Sequence, residues 1–133
     1  MRAELNLANE SNTDFRYKIS HFPDGQQGLL ITNPKLPATE VVIRSRLNTF
    51  EDLEIIILAT TCLREMGIKD ISLYIPYFLG GRSDRKFQNG GSNYIKNVIS
   101  PIINIQNYSS VSILDPHSDV IEACINNFKK IDN

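Results

Sequence analysis

Tryptophan is absent from the 133-residue chain, and cysteine occurs only twice, at Cys62 and Cys124. The two cysteines are far apart and form no Cys-x-x-Cys pair, so nothing suggests a disulfide framework. Both fall on apolar faces of expected helices, and free buried thiols in a reducing cytosol are expected. An excess of one charge is also missing. Fourteen basic side chains face fifteen acidic ones, for a net charge of −1. That balance lacks the footprint of a nucleic-acid or anionic-membrane binder, so neither partner is expected. No apolar run approaches the roughly 18 residues of a membrane span. The opening MRAELNLANESNTD is too polar for a signal peptide, and a cytoplasmic protein is expected. Residues 1–14 are expected to be a disordered polar segment.

One domain fits this length, with a core that needs no disulfide or metal staple. Residues 15–133 are expected to form it. From Phe15 to Ile43 the pattern is strand-like, broken at Pro23–Gly28 by PDGQQG, a turn sequence. Leu29–Pro34 and Glu40–Ser45 read as short strands. Thr49–Gly67 then reads as a helix. Thr49 is a good N-cap with Asp52 three residues on, and Gly67 stands where a helix would stop. Leu53, Ile56, Ile57, Thr60 and Leu63 fall near one face. Asp70–Phe78 is rich in β-branched and aromatic residues and reads as a strand buried on both sides. Ser92–Asn104 reads as a helix, against which Pro101 counts. Val111–Leu114 is a further strand, Asp115–Asp119 a loop and Asp119–Lys130 a final helix capped by Ser118.

Strand and helix therefore alternate after residue 40. This order predicts an α/β fold: an open, mostly parallel sheet with helices on both faces, in a Rossmann-like three-layer arrangement, preceded by N-terminal β-strands. Ligands bind such sheets outside the carboxyl ends of the strands. Two polar loops follow expected strands there. The first is GGRSDRK. Gly80 and Gly81 allow a close backbone approach, and Arg82, Arg85 and Lys86 supply positive charge suited to phosphate. Asp84 can orient an arginine, accept from a hydroxyl or reach a metal through water. A plain solvated surface loop is the bland alternative, and the stretch is no Walker or dinucleotide fingerprint. The second loop is DPHSD. Asp115, His117 and Asp119 stand two residues apart, a pairing used for divalent ions or proton transfer. Its bland alternative is helix capping beside a surface histidine. Together the loops suggest a polyphosphate–Mg²⁺ site, where catalysis is mainly positioning and charge neutralisation.

These residues carry a family resemblance. IPYFLGGRSDRK resembles the strand and loop of ribose-phosphate pyrophosphokinases. SILDPHSDVIEA resembles the family's Asp-x-His segment, in wording closest to divergent phage-type members. FPDGQQ resembles the family's adenine-side turn. The likeness runs from about Phe15 to the C-terminus. It implies a phosphoribosyltransferase-like fold and, in nucleotide biosynthesis, transfer of the diphosphoryl group of ATP to ribose 5-phosphate. The anomeric hydroxyl attacks the β-phosphorus and AMP leaves. It implies ATP contacts at Arg82, Ser83 and Asp84, and catalytic roles for Arg85 and Lys86 in the loop that covers the transferred phosphates. Mg²⁺ is implied at His117 and Asp115. Phe22, Asp24 and Gln26 match positions that reach the adenine site of a neighbouring subunit, which implies a homo-oligomer or a partner subunit.

Three departures stand out. Ser83 replaces a usual glutamine, and Gln26 a usual glutamate. No Asp-Asp pair occurs, so the C-terminal domain that holds ribose 5-phosphate is expected to be missing and the chain alone to be insufficient for catalysis. A non-catalytic assembly or regulatory subunit is the rival expectation. A member that accepts a larger phosphorylated ribose is a third.

Overall fold

In a computed structural model of the chain, residues 1–76, 95–114 and 124–131 are described. They form an α/β fold on a five-stranded, wholly parallel sheet. The strands are β1 (Arg2–Asn6), β4 (Glu40–Arg44), β5 (Asp70–Ile75), β6 (Val111–Leu114) and β7 (Phe128–Ile131), side by side in that order. A separate antiparallel hairpin, β2 (Tyr17–His21) and β3 (Gln27–Ile31), lies between β1 and β4 in the chain.

Register partners share a sheet face. Leu5, Ile43, Leu73 and Val111 form one such row, and Ala3, Val41 and Ile71 another. All seven are buried in the core, with Leu53, Ile56, Ala59 and Leu63 of α1 (Phe50–Glu65) among their neighbours in it. Ile99 and Ile103 extend that core. The opposite face carries Glu4, Arg44, Ser72, Tyr74 and Ser112, all half-buried. There Arg44 pairs with Glu4 at 2.7 Å and stacks 4.5 Å from the centre of the Tyr74 ring.

Helix α1 starts where its caps dictate. The Thr49 hydroxyl accepts from the Asp52 N–H, while the Asp52 carboxylate accepts from the Thr49 N–H, a reciprocal capping box. Gly67, at φ +93°, follows the last turn in the left-handed region. Ile55 and Ala59 join the expected buried stripe, and Ile57 is only half-buried.

Five expectations need correction. Residues 1–14, expected to be disordered, contain β1. Ala3 and Leu5 point into the core, and the outer edge of β1 is held where Asp14 Oδ2 accepts from Glu4 N–H at 2.8 Å. The strand at Asp70–Ile75 is buried on one side only, since it alternates Ile71, Leu73 and Ile75 inward with Ser72 and Tyr74 outward. The expected helix over Ser92–Asn104 is, in its described part, a π-helical turn at Ile95–Ile99 followed by α2 (Ser100–Ile105). Pro101 sits at the start of α2, directly after the π-helical turn. The final helix does not reach Lys130. Asn127 takes φ +56°, and Phe128–Ile131 is β7, parallel to β6. A left-handed residue ends a helix, and the asparagine side chain tolerates it. Both cysteines are half-buried rather than buried, and both are free. No helix among the described residues is long and apolar enough to cross a membrane.

Candidate functional site

Because every strand of the sheet runs the same way, all carboxyl ends lie along one edge. There β4 continues into Ser45 and Arg46, β5 into Pro76 and β6 from Leu114 into Asp115. Adjacent ends are tied together. Leu7 N–H donates to the Arg44 carbonyl at 2.7 Å, and Ser45 N–H to the Tyr74 carbonyl at 3.0 Å. Strands β5 and β6 are in register through Ile75 and Ile113. In the sequence, these neighbouring strands are followed by the two polar loops singled out above. Their residues, Arg82, Ser83, Asp84, Arg85, Lys86, Asp115 and His117, lie outside the described residues. Among the described residues, no cluster of three or more His, Cys, Asp or Glu side chains could hold a metal ion.

The remaining predicted residues are on the hairpin turn. Phe22 N–H donates to the Gln26 carbonyl at 2.8 Å, and the Asp24 carboxylate accepts from Gln26 N–H at 3.0 Å. Asp24 thereby locks the turn, with Gly25 at φ +92° in a conformation that disfavours a side chain. Phe22 is 49% exposed. Gly28 makes room beneath it, since a Cβ there would stand 2.7 Å from Ser20 Oγ and 3.2 Å from the Phe22 ring.

The hairpin is fastened to α1. The buried Gln27 amide donates to the Glu51 carbonyl at 3.1 Å and to Glu54 Oε1 at 2.7 Å. Between the hairpin, the ends of β1 and β4, and the first turn of α1 opens a cleft of about 310 Å³. His21, Arg46, Asn48 and Glu51 line it over Leu7, Ile19 and Ile55. These residues were missed in the sequence. The carboxyl-end rule, applied to β4 as to β5 and β6, would have singled out Arg46.

The resolved pKa shifts lie elsewhere. Burial, with the Glu10 charge, pushes Tyr17 up, and burial with Glu65 does the same to the Cys62 thiol. Burial pushes Tyr108 up to about 12 against lowering by the Thr60 hydroxyl and Arg64. These are packing groups, not a tuned acid–base pair.

No family model matches the chain. A curated ribose-phosphate pyrophosphokinase from Saccharolobus solfataricus is 25% identical over 99 residues, covering 72% of this chain and 33% of the relative. The crystal structure of a phosphoribosylpyrophosphate synthetase from Mycobacterium smegmatis superposes with a TM-score of 0.77 at 11% identity. That match covers 92% of this chain and 42% of the other. The chain thus resembles ribose-phosphate pyrophosphokinases in sequence and shares their fold, over about a third of the length of the curated relative.

Proposed function

We propose that this chain is the nucleotide-binding half of a ribose-phosphate diphosphokinase, which transfers the diphosphoryl group of ATP to ribose 5-phosphate. The observation that carries the reading is the pairing of parallel β5 and β6. In the sequence the arginine–aspartate loop and the Asp-Pro-His loop follow these two strands, whose carboxyl ends lie at the edge where such sheets bind ligands.

Arg82 grips phosphate oxygens with its forked donors, and Asp84 orients it. Arg85 and Lys86 neutralise charge on the transferred group. Phe22, on the exposed hairpin turn, offers a ring face to an adenine held by a neighbouring subunit. Asp115 and His117 have the donor chemistry of a Mg²⁺ site, where the ion would keep several waters and offset phosphate charge. The ribose-phosphate half of the site is supplied by a further domain or partner.

Calorimetric titration of the purified chain with ATP, with and without Mg²⁺, tests this. Binding is expected to depend on Mg²⁺ and to weaken at least about tenfold in Arg82→Ala and in His117→Ala, one factor of ten being about 1.4 kcal/mol. Nucleotide affinity that ignores Arg82→Ala would falsify the site assignment. A folded chain that binds no ATP but co-purifies with a complete synthetase would instead support an assembly or regulatory subunit.

A further inference from the structure

The cleft between the ends of β1 and β4 plays no part in the nucleotide grip, yet it has the makings of a site. Its volume of about 310 Å³ holds a small ligand or the compact end of a larger one. Its floor is apolar and its rim carries both signs of charge. Arg46 is exposed, and among the described residues no carboxylate lies within 4.0 Å of it. Arg2 and Arg44, on the same sheet, each pair with a glutamate. The Ser45 hydroxyl donates to the Arg46 carbonyl at 2.9 Å, which steadies the backbone that presents this guanidinium.

The acids on the rim are not equivalent. Asp52 already accepts from the N–H groups of Asn48 and Thr49, at 2.8 and 3.2 Å. Glu51 is exposed and has no partner cation among the described residues. The carboxamide oxygen of Asn48 is shielded from solvent and accepts no hydrogen bond among the described residues. A rotation of that amide would give the oxygen a donor if a ligand brought one. A bare anion suits this cleft poorly because Glu51 repels it, and a cation suits it poorly because of Arg46. A ligand with a phosphate at one end and hydroxyl donors at the other satisfies both.

We propose that this cleft binds a sugar phosphate, with the phosphate on Arg46 and His21 and the sugar hydroxyls on Glu51 and Asn48. The sugar phosphate is either free or the 5′-phosphate end of a nucleoside monophosphate. The site shares no residue with the proposed nucleotide grip, so either can fail without the other.

The test is an amide NMR titration of the full chain with ribose 5-phosphate, AMP, adenosine and inorganic phosphate. Signals from Ser45 to Asp52 are expected to move with ribose 5-phosphate or AMP, and much less with adenosine or phosphate alone. Tighter binding of AMP identifies the nucleotide as the source, and tighter binding of ribose 5-phosphate the free sugar. Arg46→Ala should weaken binding at least about tenfold. Glu51→Gln should weaken the sugar phosphates but not inorganic phosphate. Circular dichroism checks that each variant folds, as expected for exposed positions. Three outcomes overturn the proposal: no shift at millimolar ligand, equal shifts with phosphate alone, or a response lost in Arg82→Ala but kept in Arg46→Ala. The last would assign the binding to the nucleotide grip.

Discussion

Tyr108 is the residue on which solution pH acts most clearly. Its ring is 3% exposed, and its hydroxyl lies 2.7 Å from that of Thr60 on α1. Burial raises its pKa from the ordinary 10 to about 12, so the folded state favours the neutral phenol. A folded pKa above the unfolded one gives stability that is whole below pH 10 and lost as pH rises through 12. The loss is on the order of 3 kcal/mol, from about 1.4 kcal/mol per unit. Urea unfolding between pH 9 and 12 should therefore show a falling midpoint, and Tyr108→Phe should flatten that fall. An unchanged slope in the variant would assign the alkaline transition to other groups.

At the scale of elements, the hairpin depends on a few anchors. A lone two-stranded sheet is marginal in water, and among the described residues β2 pairs only with β3. The Gln27 amide holds it to α1 through two acceptors, with Cys62 Sγ on the Leu29 carbonyl as a weak third contact. Gln27→Ala should cost roughly 1–3 kcal/mol, because it strips partly buried acceptors of their donor. Hydrogen exchange should speed up first in Tyr17–Ile31, while β4 and β5 keep their protection. Uniform acceleration across the sheet would show that the hairpin and the sheet unfold as one unit.

The elements also show what the sequence disclosed. Helix α1 was legible because Thr49 and Asp52 announce its start and Gly67 its end, all local signals. Strands β4, β5 and β6 were legible from short apolar runs. Strand β7 was hidden because Phe128–Ile131 continues an apparently helical pattern. The break is the backbone of Asn127, whose left-handed conformation no pattern of apolar residues reveals. Pro101 correctly signalled trouble in its helix, but nothing local announced a π-helical turn.

The whole molecule explains why the rest was illegible. The cleft draws on Leu7, on His21 and on Arg46 with Glu51, three separate stretches of chain that meet only through the fold. The arginine–aspartate and Asp-Pro-His loops were singled out because each is contiguous and follows a recognisable strand, and they lie outside the described residues. Strand β1 was overlooked because MRAELNLANESNTD offers only Ala3, Leu5 and Leu7 as apolar content, too little for a pattern. Its role is set by tertiary contacts. Five residues of β1 pair with β4, Leu5 is wholly buried, and the Tyr17 hydroxyl donates to the Asn6 carbonyl at 2.7 Å. A chain begun at Ala8 loses these contacts and bares the β4 edge, an invitation to aggregation. Burial of Leu5 alone is worth about 2 kcal/mol. Such a chain should unfold at a clearly lower urea midpoint and associate at concentrations where the intact chain stays dispersed, as sedimentation would report. An unchanged midpoint would mean that the five-residue register adds nothing to stability and that the sheet effectively begins at β4.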